Sequence, residues 1–298
     1  MNEMSAMIDL NRPRRSVLYM PGSKERALEK AKILPADALI LDLEDAVAPD
    51  EKINARQLVS EAVKTGGYGA RELVIRINGL DTPWGQDDLA AACAAAPDAI
   101  LIPKVESAAM AQDIERTMES HGAKPETLLW AMMETPLGML NAAEIAASTP
   151  RLGCFILGTN DLVKDLNAEH TPAREPVITA LGLSMLAAKA HGLAIIDGVY
   201  NAFKDEDGLR ASCLQGRAMG FDGKTLIHPA QIDPCNAIFS PDEAALDLAR
   251  RQVEAYREAT EKGEGVAVVD GKIVENLHVE TANRLLAKAD VIKAMEAV

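Results

Sequence analysis

Aromatic residues are nearly absent: two Trp, four Tyr and four Phe make up 3% of 298 residues. Any core must therefore be filled by Ala, Leu, Ile, Val and Met, and a chain that is 48% hydrophobic holds enough of them for one large domain or two small ones. Cysteine is also scarce. Cys93, Cys154, Cys213 and Cys235 lie far apart without C-x-x-C spacing, each in or beside an apolar segment. That pattern disfavours zinc ligands and a disulfide framework and points to buried free thiols. Positive charge is in deficit, with 31 Lys and Arg against 45 Asp and Glu and a net charge of −14. Nucleic acid and an anionic membrane surface are therefore poor partners, whereas a local basic pocket for an anionic ligand is compatible. No apolar run reaches 18 residues, and no charged segment leads into an apolar one at the start, so a soluble, cytosolic protein is the expectation.

What is present is a repeating unit. Residues 1–13 read as a loose leader. Short apolar runs then follow one another: SVLYMPG (16–22), ALILDLEDAV (38–47), ELVIRINGL (72–80), AILIPKVE (99–106), LLWAMME (128–134), CFILGTND (154–161), LAIIDGVYN (193–201) and GKTLIHP (223–229). Helical patterns separate them, with Ser23 and Ser107 as candidate caps. The ends of the runs recur every 24 to 37 residues, the length of a strand with its return helix. Eight such units predict an α/β fold, a parallel (β/α)₈ barrel over residues 14–238. A doubly wound sheet is the alternative, but MPGSKER after the first run is not the G-x-G-x-x-G that it calls for. Residues 239–298 form an appendage: a helix with Ser240 as candidate cap, a hairpin in VAVVDGKIV with a two-residue Asp-Gly turn, and a last helix. It has no place in a barrel core, so a lid or a contact between subunits is expected of it.

Catalytic groups of such barrels sit at the carboxyl ends of the strands. Those ends supply Pro21-Gly22, Glu44-Asp45, Arg76, Asn78, Lys104, Glu134, Gly158-Thr159-Asn160-Asp161, Asp197 and His228. Glu134 and Asp161 stand 27 residues apart, so parallel strands bring both to one edge. Two such carboxylates suit Mg²⁺; solvated loop acids are the alternative. A surplus of acids calls for a cation and favours the metal. Arg76, inside the run VIRIN, holds a substrate carboxylate or faces a developing negative charge; a structural ion pair with Glu44 or Asp45 is the other possibility. Backbone N–H groups of Gly158-Thr159-Asn160 can meet an anion. His228 reads as a hydrogen-bonded packing residue and Asp197 as a turn former. Arg14, Arg15, Lys24, Arg26 and Lys30 oppose the acidic trend and suit either a phosphate-rich tail or a solvated helix face.

The segments RRSVLYMPGS, LILDLEDAVAPDEKINAR, VIRINGLDTPWG, ILIPKVES, METPLGMLNAAEIA, LGTNDLVKDL and LIHPAQI together resemble the HpcH/HpaI aldolase–citrate lyase β-subunit superfamily, in its malyl-CoA and citramalyl-CoA lyase branch. The resemblance spans about residues 14–290. It implies a Mg²⁺-dependent barrel, a homotrimer or a hexamer, with Glu134 and Asp161 as metal ligands. It implies Arg76 at the thioester and carboxylate oxygens, Glu44 and Asp45 as acids around it, and Arg15, Pro21, Gly22 and Lys24 in the segment that receives coenzyme A. Similar lyases donate an aspartate from the C-terminal hairpin to a neighbouring subunit; Glu275 occupies that place here. The expected activity is carbon–carbon cleavage of a 3-hydroxy-3-carboxyacyl-CoA such as malyl-CoA or citramalyl-CoA. The alternatives are a malyl-CoA thioesterase, a citrate lyase β subunit acting on an acyl-carrier-protein thioester, and a non-catalytic acyl-CoA-binding barrel.

Overall fold

Short apolar runs bounded by turn residues form strands that are buried on both faces. The computed structural model describes residue 9 and residues 11–296; residues 1–8 and 10 of the expected leader lie outside these. The strands are β1 (Ser16–Pro21), β2 (Ala38–Asp42), β3 (Glu72–Arg76), β4 (Ala99–Ile102), β5 (Leu128–Met133), β6 (Leu152–Leu157), β7 (Ala194–Asp197) and β8 (Gly223–Leu226). They pair in parallel and in sequence order, and β8 closes on β1 through Ser16 opposite Lys224. The (β/α)₈ barrel expected from the spacing is the fold observed.

Side chains alternate across each strand, and one parity fills the barrel. Val17, Ala38, Ile40, Val74, Ala99, Leu101, Trp130, Met132, Cys154, Ile156, Ala194 and Ile196 form that interior. Trp130 supplies the bulk that the aromatic-poor sequence otherwise lacks and is fully buried. All four cysteines are buried free thiols, as expected. At the amino end of the barrel, Gly223 leaves no room for a side chain: a Cβ there would fall 1.7 Å from the Arg14 carbonyl oxygen.

Local capping agrees with the sequence in part. Ser107 accepts from the Met110 N–H and starts the helix Ala108–Ser120. Ser23 does not cap, since Lys24 holds that position before the helix Glu25–Ala31. Asp242, not Ser240, accepts from the Ala245 N–H at the start of the helix Glu243–Glu261.

The chain divides into two compact units, Arg14–Ile238 and a second that begins at Phe239 and includes Asn11–Pro13. In the second unit β9 (Ala267–Val269) and β10 (Lys272–Val274) form the hairpin. Asp270 and Gly271 both take positive φ, 50° and 74°, as a two-residue primed turn demands. Ala267, Val269 and Val274 pack with Ala259 in a small core. No helix among the described residues is long and apolar enough to cross a membrane.

Candidate active site

The inner parity that builds the core continues upward into polar side chains. Ala38 and Ile40 lead to Asp42, Val74 leads to Arg76, Trp130 and Met132 lead to Glu134, and Cys154 and Ile156 lead to Gly158. The last inward position of several strands thus carries chemistry instead of packing. A cavity of about 290 Å³ opens there, lined by Tyr19, Asp42, Asp45, Arg76, Glu134, Asp161 and Asn201 among others.

Arg76 is 5% exposed and carries four acidic or soft neighbours. Nε and Nη2 donate to the two oxygens of Asp42, each at 2.7 Å. Nη1 lies 2.8 Å from Glu44, 3.3 Å from Asp45 and 3.7 Å from the Met132 sulfur. Its guanidinium carbon sits 4.8 Å from the centre of the Tyr19 ring. The ion pair foreseen with Glu44 and Asp45 is present, but Asp42, which the sequence reading passed over, takes the two-point grip. It shares the inward parity of Ala38 and Ile40, which becomes legible only once the inner face of the strand is known.

Glu134 follows β5 and is 3% exposed. Its Oε1 accepts the Lys104 N–H at 2.8 Å. Lys104 presents that N–H from a left-handed backbone, φ 51°, which an L-residue adopts only under constraint. Gly158 admits the carboxylate from the other side: a Cβ there would lie 2.4 Å from the Glu134 Cβ. Asp161 does not end a strand. β6 stops at Leu157, and Asp161 sits in the first turn of the helix Thr159–Asp165, half-buried on the cavity wall. Thr159 and Asn160 line the same wall, and Asn160 exchanges amide hydrogen bonds with Asn201 at 3.2 and 2.8 Å. The Gly158 N–H, expected for an anion, donates to the Met133 carbonyl.

Burial governs the protonation of this mouth. It pushes Glu134 up to about 8, with Glu44 adding and the Lys104 N–H opposing. It pushes Glu44 up to about 7, with Arg76 opposing and Asp45 and Asp42 adding. Among the described residues Asp42, Glu44, Asp45, Glu134 and Asp161 meet Arg76, Lys104 and Lys52, five acids against three cations. No three His, Cys, Asp or Glu side chains among the described residues converge as a ready-made metal cage. Two all-oxygen ligands beside a cavity, in a surplus of negative charge, are nevertheless a set that fits a hard divalent cation whose other positions belong to water and substrate.

Other expectations fare differently. Pro21, Gly22 and Lys24 stand at the carboxyl end of β1, where the Gly22 N–H donates to the Asp42 carbonyl at 2.9 Å; Lys24 is exposed. Arg15 is a correction. It precedes β1, at the amino end of the barrel, is 3% exposed, and pairs with Asp37 through Nε and Nη2, each at 2.9 Å. A buried side chain at the far end from the mouth is not placed to meet coenzyme A there. Asp197 is also more than a turn former: it is fully buried and binds Lys224 at 2.9 Å and Arg174 at 2.6 Å. His228 is exposed, caps a turn through the Ala230 N–H and stacks on Phe203. Glu275 belongs to the second unit, exposed, with its N–H donating to the His278 ring.

Known proteins carry the same chain plan. A (3S)-malyl-CoA thioesterase of Cereibacter sphaeroides is 60% identical over 285 residues, covering 96% of this chain and 98% of its own. The citrate lyase subunit beta of Leuconostoc mesenteroides is 37% identical over 284 residues, covering 94% of each chain. The structure of CitE from Mycobacterium tuberculosis in complex with magnesium, acetoacetate and coenzyme A superposes with a TM-score of 0.75 at 28% identity, covering 94% of this chain and all of that one. The sequence profile of the HpcH/HpaI aldolase/citrate lyase group matches residues 15–229, and with a barrel mouth of Arg76 ringed by carboxylates this chain belongs to that family.

Proposed function

We propose that this chain hydrolyses the thioester of (3S)-malyl-CoA. The observation that carries the reading is the 60% identity to a (3S)-malyl-CoA thioesterase over almost the whole of both chains. In this reading Glu134 and Asp161 hold Mg²⁺, which when bound supplies a Lewis acid for the hydroxyl and carboxylate oxygens of the malyl group. Thr159 and Asn160 bound the malyl end of the cavity with Gly158 behind them. Arg76 donates from Nη1 to the thioester oxygen as negative charge develops on it. Glu44, which burial holds near neutrality, accepts the proton of the attacking water, with Asp45 beside it. The carbon–sulfur bond breaks, and the proton passes to the departing sulfur, giving malate and free CoA. Pro21, Gly22 and exposed Lys24 offer a rim for the pantetheine and phosphates of the coenzyme.

Carbon–carbon cleavage to acetyl-CoA and glyoxylate is the second reading, favoured by the 37% identity to a citrate lyase subunit beta. It needs an acid to protonate the enolate carbon, a role for Glu275 from a neighbouring copy; hydrolysis needs none. The test is an incubation of (3S)-malyl-CoA with Mg²⁺ in which free CoA, malate, acetyl-CoA and glyoxylate are each measured. Equal amounts of CoA and malate are expected. Glyoxylate with acetyl-CoA would replace the first reading by the second. Glu275→Gln should leave hydrolysis within about threefold of the parent, and a much larger loss would point to the carbon–carbon step.

A further inference from the structure

The guanidinium of Arg76 has five N–H donors, and its partners share them unevenly. Nε and Nη2 go to one carboxylate, Asp42, at 2.7 Å each, while Nη1 is divided among Glu44, Asp45 and Met132. Asp42 has a second set of partners. Its Oδ1 accepts the Glu44 N–H at 2.9 Å and its Oδ2 accepts the Ala46 N–H at 3.0 Å. Each oxygen therefore serves one guanidinium nitrogen and one N–H of the loop that follows β2. Asp42 is fully buried and stands directly opposite Arg76 in the β2–β3 register.

We propose that Asp42 is the positioning residue of this mouth: its carboxylate locks the Arg76 fork and the loop 43–46 into one unit and thereby aims Nη1 at the thioester oxygen. The neighbours cannot do this. The Asp45 carboxyl is 76% exposed, and a solvated pair fixes little. Glu44 reaches only Nη1, the donor that must turn to the substrate. A side-on, two-point pair sets direction as well as distance, which one charge near another does not. The Tyr19 face then fixes the plane of the fork. A glutamate at position 42 would push the fork toward the cavity by its extra methylene, and misplacement by about 1 Å costs about a hundredfold in rate.

The kinetic part of this assignment rests on the hydrolase reading; the geometric part does not. We would measure kcat and KM for (3S)-malyl-CoA in Asp42→Asn, Arg76→Lys and the double variant, and solve the crystal structure of Asp42→Asn. The single variant should lose about a hundredfold in kcat with KM within about threefold. In the Arg76→Lys background the same change should cost less than about tenfold, because the larger part of its effect passes through the Arg76 fork. A purely structural residue would instead lower the folded fraction equally in both backgrounds, and such additive losses overturn the assignment. If Asp42→Asn does not fold, Asp42→Glu, which keeps the charge, takes its place, and full kcat there overturns the assignment. In the variant crystal Nη1 should have left Glu44; an unmoved guanidinium overturns the assignment whatever the kinetics. Should the parent release no CoA from malyl-CoA, the hydrolase reading fails, and the position of Arg76 in the variant crystal decides the role of Asp42 by itself.

Discussion

At the amino end of the barrel, Arg14 meets Glu72 at 2.6 Å and Arg15 meets Asp37 at 2.9 Å, every partner at most 3% exposed. At the carboxyl end, Arg76 is just as buried but is shared by Asp42, Glu44 and Asp45, with Glu134 and Asp161 on the same cavity. At one end each of these arginines has a buried acid as partner. The other holds more acids than cations around an open space. Buried ion pairs are held chiefly by each other. A surplus burdens the empty fold and is relieved by what binds, which makes the unbalanced end the candidate site.

The largest effect should come from the surplus itself. Glu134→Gln and Asp161→Asn should each reduce Mg²⁺-dependent turnover by more than about a thousandfold. In EDTA, Glu134→Gln should melt no lower than the parent, because a buried, poorly compensated carboxyl has been neutralised. A variant that kept its activity, or a lower melting point for Glu134→Gln, would erase the contrast between the two ends.

Next in size is the balanced end. Glu72→Ala strands Arg14 in the interior and should cost about 3–5 kcal/mol in urea unfolding. Turnover per folded molecule should stay within about twofold, since the change lies at the far end of the barrel from the mouth. Loss of activity with unchanged stability would mean that the amino end takes part in function after all.

The smallest effect is a dependence on pH. Glu134 and Glu44 have an ordinary value of 4.5, which folding raises to about 8 and about 7. The folded state therefore holds more protons than the unfolded chain over that interval. The stability these groups contribute is complete below 4.5 and is lost as pH rises through 7 and 8. A cation that takes the place of the protons removes the loss. The gain in melting temperature on adding Mg²⁺ should be slight at pH 5.5 and on the order of 3 °C larger at pH 8.5. Equal gains at both pH values would show that Glu134 does not hold the metal.

Much of the barrel was legible because its signals are local. Apolar runs such as LLWAMM and AILI, spaced by helical lengths, set strand count and order, and the Asp270-Gly271 pair set the hairpin turn. Runs buried on both faces hide their parity, since both faces are apolar. Asp42 between Leu41 and Leu43 therefore carries no local mark of facing inward, and Asp197 before Gly198 reads as a turn residue.

The sequence by itself determined an eight-unit barrel, a polar ring at its mouth, and Arg76, Glu134 and Asp161 as members of that ring. Period and composition suffice for this, because each unit folds on its own stretch of chain. Only the tertiary structure decided which acid faces Arg76, that Arg15 is buried at the amino end, and that Asp161 rides on a helix rather than ending a strand. Those outcomes depend on the register between strands that are separated by a whole return helix, as Asp42 is from Arg76, and on barrel closure. No local pattern carries either.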